Sequence, residues 1–185
     1  MSNKFTYQIL RDTSTDSVIK ITGNFDGSGQ ELNVSRISAN TLSGALATNS
    51  YLVANTQGGA ANTTLPYYDL QLTGIKYYVN FPTSNVGGVE IFWTGSGNTA
   101  AAQYANSATI FHLNLQGEFG LGEQLPSIMN NATGATGDIG INTQGAVANA
   151  AYTLIIAVRK NNAMYQRGQF NDPAAFAYGP YKLTP

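Results

Sequence analysis

Charge is what this sequence has least of. Asp, Glu, Lys and Arg together make up 10% of its 185 residues and sum to a net charge of −1, where an ordinary soluble protein is about 25% charged. A nucleic-acid surface needs a concentrated positive stripe. The nine basic residues here are scattered, with only Arg159 and Lys160 adjacent, so no nucleic-acid partner is expected. Cysteine is absent, which excludes disulfides and thiolate metal sites. Histidine occurs once, too few for a metal centre built on imidazole. No apolar run is long enough to cross a bilayer. The best, "AVANAAYTLIIAV" over 146–158, is 13 residues with Asn149 inside it, against about 20 for a spanning helix. The opening "MSNKFTYQIL" lacks the apolar centre of a signal peptide. The expectation is a protein made in a cytoplasm, with no membrane partner.

Low charge here does not mean disorder, because 11% of the residues are aromatic and a chain of this length can bury a real core. The dominant pattern is alternation with period two, broken by Gly, Asn, Ser and Asp. "KFTYQILRD" sets Phe5, Tyr7 and Ile9 on one face, and "SVIKITG" follows the turn-rich "DTSTD" as the second arm of a hairpin. "ELNVSRIS" puts Leu32 and Val34 together. "YDLQLTGIKYYVNF" aligns Leu70 and Leu72, then Ile75, Tyr77, Val79 and Phe81, with a bulge at Gly74. "GVEIFWTG" alternates Val89, Ile91 and Trp93, and "SATIFHLNLQG" alternates Phe111, Leu113 and Leu115. "AAYTLIIAVRKN" is apolar on both faces, as a central strand would be. About eight such runs without long helical periodicity predict an all-β fold, an antiparallel β-sandwich of jelly-roll type.

Two long stretches, 39–64 and 117–145, read as ordered loops, the first with a helical turn over Leu42 to Ala47. Residues 1–164 form the sandwich domain in this reading. Residues 165–185 form an aromatic arm with helix punctuation at both ends: Asp172 as N-cap, Pro173 at the first helical position, Gly179 and Pro180 at the stop. The arm packs either on its own domain or on a neighbouring subunit. Tyrosine-rich, charge-depleted surface is what interface centres are made of. The candidate interface is therefore Tyr67 and Tyr68 together with Tyr165, Arg167, Phe170, Asp172, Phe176, Tyr178 and Tyr181 of the arm.

No residue pattern carries catalysis. His112 lies in a strand, pointing with Ile110 and Asn114, and reads as a surface or core-edge side chain rather than a catalytic base. Residues 24–31, "NFDGSGQE", imitate the first half of a calcium loop, but the closing acid would fall on Ser35. A plain Asp-Gly turn accounts for them better. The glycine strings "GEFGLG" and "GATGDIG" do not sit between a strand and a helix, so they are not phosphate cradles. Glu118 and Glu123 need no role as a glycosidase pair. No enzyme, metal or cofactor is expected.

Three stretches carry a resemblance: "FTYQILRDTSTDSVIKITGNFDGSGQELNVSRISANTLSGALATN", "LPSIMNNATGATGDIGINTQGA" and "YTLIIAVRKNNAMYQRGQFNDPAAFAYGPYKLTP". They resemble virion structural proteins of tailed bacteriophages, of the kind associated with phages of cyanobacteria and other aquatic bacteria. The likeness covers most of the chain, and 87–108 is its variable part. It implies a structural role in the particle and brings no catalytic or ligand-binding residue with it. The expectation is a capsid decoration or cement protein in the virion, made in the host cytoplasm and self-associating. Its partner would be the major capsid protein or another virion protein. A neck, tail or fibre-attachment component is the alternative. A carbohydrate-binding module stacking sugars on Trp93, Tyr67 and Tyr68 is the second.

Overall fold

The computed structural model describes residues 2–45, 70–82, 87–95, 97–120, 128–129 and 137–160. Within them the chain is an antiparallel β-sandwich. Its larger sheet is built from β1 (Lys4–Asp12), β2 (Asp16–Asn24), β4 (Leu70–Asn80), β7 (Gln116–Phe119), β8 (Ile128–Met129) and β10 (Ala151–Lys160). The smaller holds β3 (Val34–Ile37), β5 (Gly88–Trp93), β6 (Ala108–Leu113) and β9 (Ile139–Gln144). One short helix, α1 (Ala100–Ala105), joins β5 to β6.

The pairing is nested. β5 pairs with β6, β4 with β7, β3 with β9 and β2 with β10, every pair antiparallel. That is one long two-stranded ribbon folded over on itself. The fold-over is closed by two further ladders, β10 on β4 and β9 on β5. The resulting orders, β2-β10-β4-β7 and β3-β9-β5-β6, are the two four-stranded sheets of an eight-stranded jelly roll. β1 extends the larger sheet beyond β2 as a hairpin, and β8 lies on the same edge of β4 as β7.

The core is the set of side chains that alternation sends inward. Ile19 and Ile21, Leu72 and Ile75, and Leu154 and Ile156 come from the larger sheet. Val89, Ile91 and Trp93 meet them from β5, with Ile139 and Ile141 from β9. β10 lies between β2 and β4, as its apolar character predicts, and Tyr152, Leu154, Ile156 and Val158 are fully buried. Its other face is only half-buried, at Ile155 and Ala157. The bulge lies where Gly74 marks it: Gly74 pairs with Ala157 and Leu72 with Val158, leaving Thr73 over.

Five sequence expectations are corrected. The stretch 117–145 is not a loop throughout, since β7 starts at its edge and β8 and β9 lie inside it. Leu32 does not join Val34 on a core face but is 69% exposed. Leu115 leaves the alternation of Phe111 and Leu113 and is 71% exposed. The connection from β6 to β7 is only Asn114 and Leu115, and so short a reversal forces Leu115 to a φ of 60°. Ile110 occupies a bulge in the β5–β6 ladder and packs on the core rather than pointing with His112. The helical turn expected over Leu42 to Ala47 is not there in 42–45, where a 3-10 turn precedes it at Ala39–Thr41, and 46–47 lie outside the described residues.

Candidate functional site

The outward face of the smaller sheet carries a groove of about 720 Å³. Its floor follows from alternation: Gly88 and Glu90 on β5, His112 on β6, and Asn142 and Gln144 on β9 are the residues that do not face the core. Glu90 is the centre of a fixed network. Its Oε1 accepts from the Thr109 hydroxyl at 2.7 Å, and its Oε2 accepts from the Tyr104 hydroxyl and from Asn142 Nδ2, each at 2.9 Å. Asn142 is locked at its other end, where Oδ1 accepts from the Asn33 backbone N–H. Burial pushes the Glu90 carboxyl up, but the bonds from Thr109, Asn142 and Tyr104, with the charge of His112 opposite, hold it below the usual carboxylate range. The Tyr104 hydroxyl is raised, first by its bond to Glu90 and then by burial.

Tyr104 reaches this site because α1 lies over the far end of the sheet. Thr99 caps the helix by accepting from the Ala102 N–H at 3.2 Å. The Tyr104 ring meets Phe92 edge-on at 5.0 Å, and Phe92 in turn lies over Gly140, where any Cβ would strike its ring. The opposite rim is formed by Leu32 and Asn33 ahead of β3.

Residues 24–31 behave as a turn. Asp26 Oδ1 accepts from the Ser28 N–H at 2.9 Å, with Gly27 at a φ of 91°. Glu31, the acid that ends the stretch, is turned into the protein, where it takes the Tyr152 hydroxyl at 2.5 Å and pairs with Arg36. Among the described residues no group of three acids or histidines could hold a metal ion. His112 is exposed, as expected for a surface histidine, and faces Glu90 across the β5–β6 ladder. Glu118 pairs with Lys76 at 3.6 Å on the larger sheet, and Glu123 lies outside the described residues.

The nine interface candidates Tyr67, Tyr68, Tyr165, Arg167, Phe170, Asp172, Phe176, Tyr178 and Tyr181 all lie outside the described residues, as does the 164/165 boundary. Trp93 is corrected: it is fully buried in the core and offers sugars no face. Tyr77 and Tyr78 part as neighbours on a strand must. Tyr77 turns in over Gly117 and stacks on Phe119, while Tyr78 is 52% exposed.

One exposed apolar row was missed as a site. On β1, Phe5 is covered by the Arg36 guanidinium 4.4 Å above its ring, but Tyr7, Ile9 and Leu10 are 43%, 44% and 48% exposed. Arg36 belongs to β3, which has four residues where β1 has nine. β1 is also the outer strand of its sheet among the described residues. The alternation of Phe5, Tyr7 and Ile9 was legible, but its incomplete cover was not. Among the described residues no helix is long and apolar enough to cross a membrane.

No protein-family model and no curated protein matches the chain. Among solved structures, one described as the three-dimensional structure of Maize Chlorotic Mottle Virus revealed by single-particle analysis contains a similar chain. It is 13% identical over 93% of this chain and 100% of that one, with a TM-score of 0.20.

Proposed function

We propose that the protein is a non-enzymatic structural component of a bacteriophage virion, a decoration or cement protein bound to the capsid shell or to sister copies. The observation that carries this reading is the β1 edge. Its charges, Lys4, Arg11 and Asp12, stand at the two ends. Between them β1, whose outer side has no partner strand among the described residues, offers backbone groups beside the exposed Tyr7, Ile9 and Leu10. Monomeric proteins protect such edges, and a partner can add a strand there. The low charge of the chain and its resemblance to virion proteins point the same way. The arm 165–185 is the second contact in this reading. A second contact made after the first is intramolecular, so it strengthens binding without a larger interface.

The test uses particles from a phage deleted for this protein. Mixed with them and pelleted, the purified protein should co-sediment saturably with shells. Ile9→Asp should weaken that binding by about tenfold or more, since it buries a charge at an apolar contact, while leaving the thermal unfolding cooperative. A protein that pellets with no part of the particle would sink the proposal.

A further inference from the structure

The groove on the smaller sheet has a chemistry that shell binding does not use. We propose that it is a binding site for a neutral saccharide, a function separate from the β1 edge. Five carboxamides line it, Gln30, Asn33, Asn114, Asn142 and Gln144, of which Asn142 is held at both ends and Asn114 Oδ1 accepts from the Leu115 N–H. A carboxamide offers donors and an acceptor side by side, which matches hydroxyls that both donate and accept. Among the described lining residues there is no Lys or Arg, and the one carboxylate is Glu90. A phosphate, a sulfate or an acidic sugar would therefore meet a like charge and no Lys or Arg, with His112 already facing Glu90 across the β5–β6 ladder. A bare metal ion would find both oxygens of Glu90 already taken.

The site is also prepared in advance. Glu90 fixes Tyr104 and Asn142, and the Asn33 backbone fixes Asn142 from the other side. Side chains already ordered lose less entropy when a ligand arrives. Leu32 at the rim supplies apolar surface for the C–H face of a sugar ring. Gly88 leaves the floor bare: a Cβ there would come within 2.9 Å of the Leu113 carbonyl. A peptide strand is the other extended ligand that β-sheets take, but it docks on a free edge. β5, beneath this groove, is paired on both sides, to β6 and to β9. Over this part of the floor, recognition therefore falls to side chains.

The probe is an array of neutral oligosaccharides ending in glucose, galactose, mannose or N-acetylglucosamine, with sialylated and sulfated glycans beside them. The full-length protein should bind neutral members, and calorimetry with the best of them should give a measurable affinity. Gln144→Ala, which removes one hydrogen-bonding side chain, should weaken that affinity about five- to tenfold, and Leu32→Asp should weaken it as well. Tyr78→Ala, on the outer face of the other sheet, should leave it unchanged, and all three variants should unfold at the wild-type temperature. The proposal is overturned if no neutral glycan binds, if only acidic ones do, or if Tyr78→Ala weakens binding and the groove variants do not. None of these outcomes depends on whether the protein binds shells.

Discussion

Lys160 has a side chain with no exposure to water, yet it carries a charge. It is tolerated because Nζ donates to Asp12 Oδ1 at 2.6 Å, to the Thr13 carbonyl at 2.6 Å and to the Ser43 carbonyl at 2.7 Å. Burial pushes the Asp12 carboxyl up, but bonds from Lys160, Ser17 and the Ser43 N–H, with the Lys160 charge, hold it below the usual range. A depressed folded-state value means stability that is present above the unfolded value and is lost as pH falls through the folded one. Asp12→Asn should therefore cost about 3–5 kcal/mol at neutral pH by stranding Lys160, and should flatten the acid limb of stability in a urea series. A second buried contact is the Tyr152 hydroxyl on Glu31. Tyr152→Phe should cost about 1–3 kcal/mol in the same measurement, and an unchanged midpoint would contradict it. Neither pair was legible in the sequence, because 148 residues separate Asp12 from Lys160 and 121 separate Glu31 from Tyr152.

At the level of elements, legibility followed the strength of alternation. β10 and β5 announce themselves through Leu154 and Ile156, Val89 and Ile91, all buried. Leu154→Ala should cost about 2–5 kcal/mol. β9 was hidden because "GINTQG" looks like turn chemistry. Its inward side is Ile139, Ile141 and Thr143, and its glycine is demanded by the Phe92 ring rather than by a turn. Gly140→Ala should therefore destabilise by about 1–3 kcal/mol through overpacking, a loss that Phe92→Leu in the same chain should partly restore. α1 is too short to show a helical period, and only Thr99 ahead of an alanine run marked it. Thr99→Ala should cost about 1 kcal/mol and loosen Tyr104 from Glu90. Leu32 and Leu115 misled for the opposite reason: they continue an apolar pattern past the point where the backbone leaves the sheet.

For the whole molecule, the class of fold was legible and the strand order was not. Alternating runs say that strands exist, whereas the nested pairing of β2 with β10 and β3 with β9 depends on contacts far apart in sequence. The groove was out of reach for the same reason, since Asn33, Glu90, Tyr104 and Asn142 come together only once the ribbon is folded. The charge-poor composition is legible directly, and it is the property that suits a protein packed among copies of others. The jelly roll itself leaves function open, because the same fold serves unrelated roles. The central claim is membership of the virion shell, and the most direct measurement is the copy number of this protein per purified particle, by quantitative mass spectrometry against the major shell protein. A capsid-wide decoration role predicts a ratio comparable with the shell protein, and a small fraction of it would move the protein to the neck, tail or fibres. Complete absence from purified particles would contradict the virion role altogether.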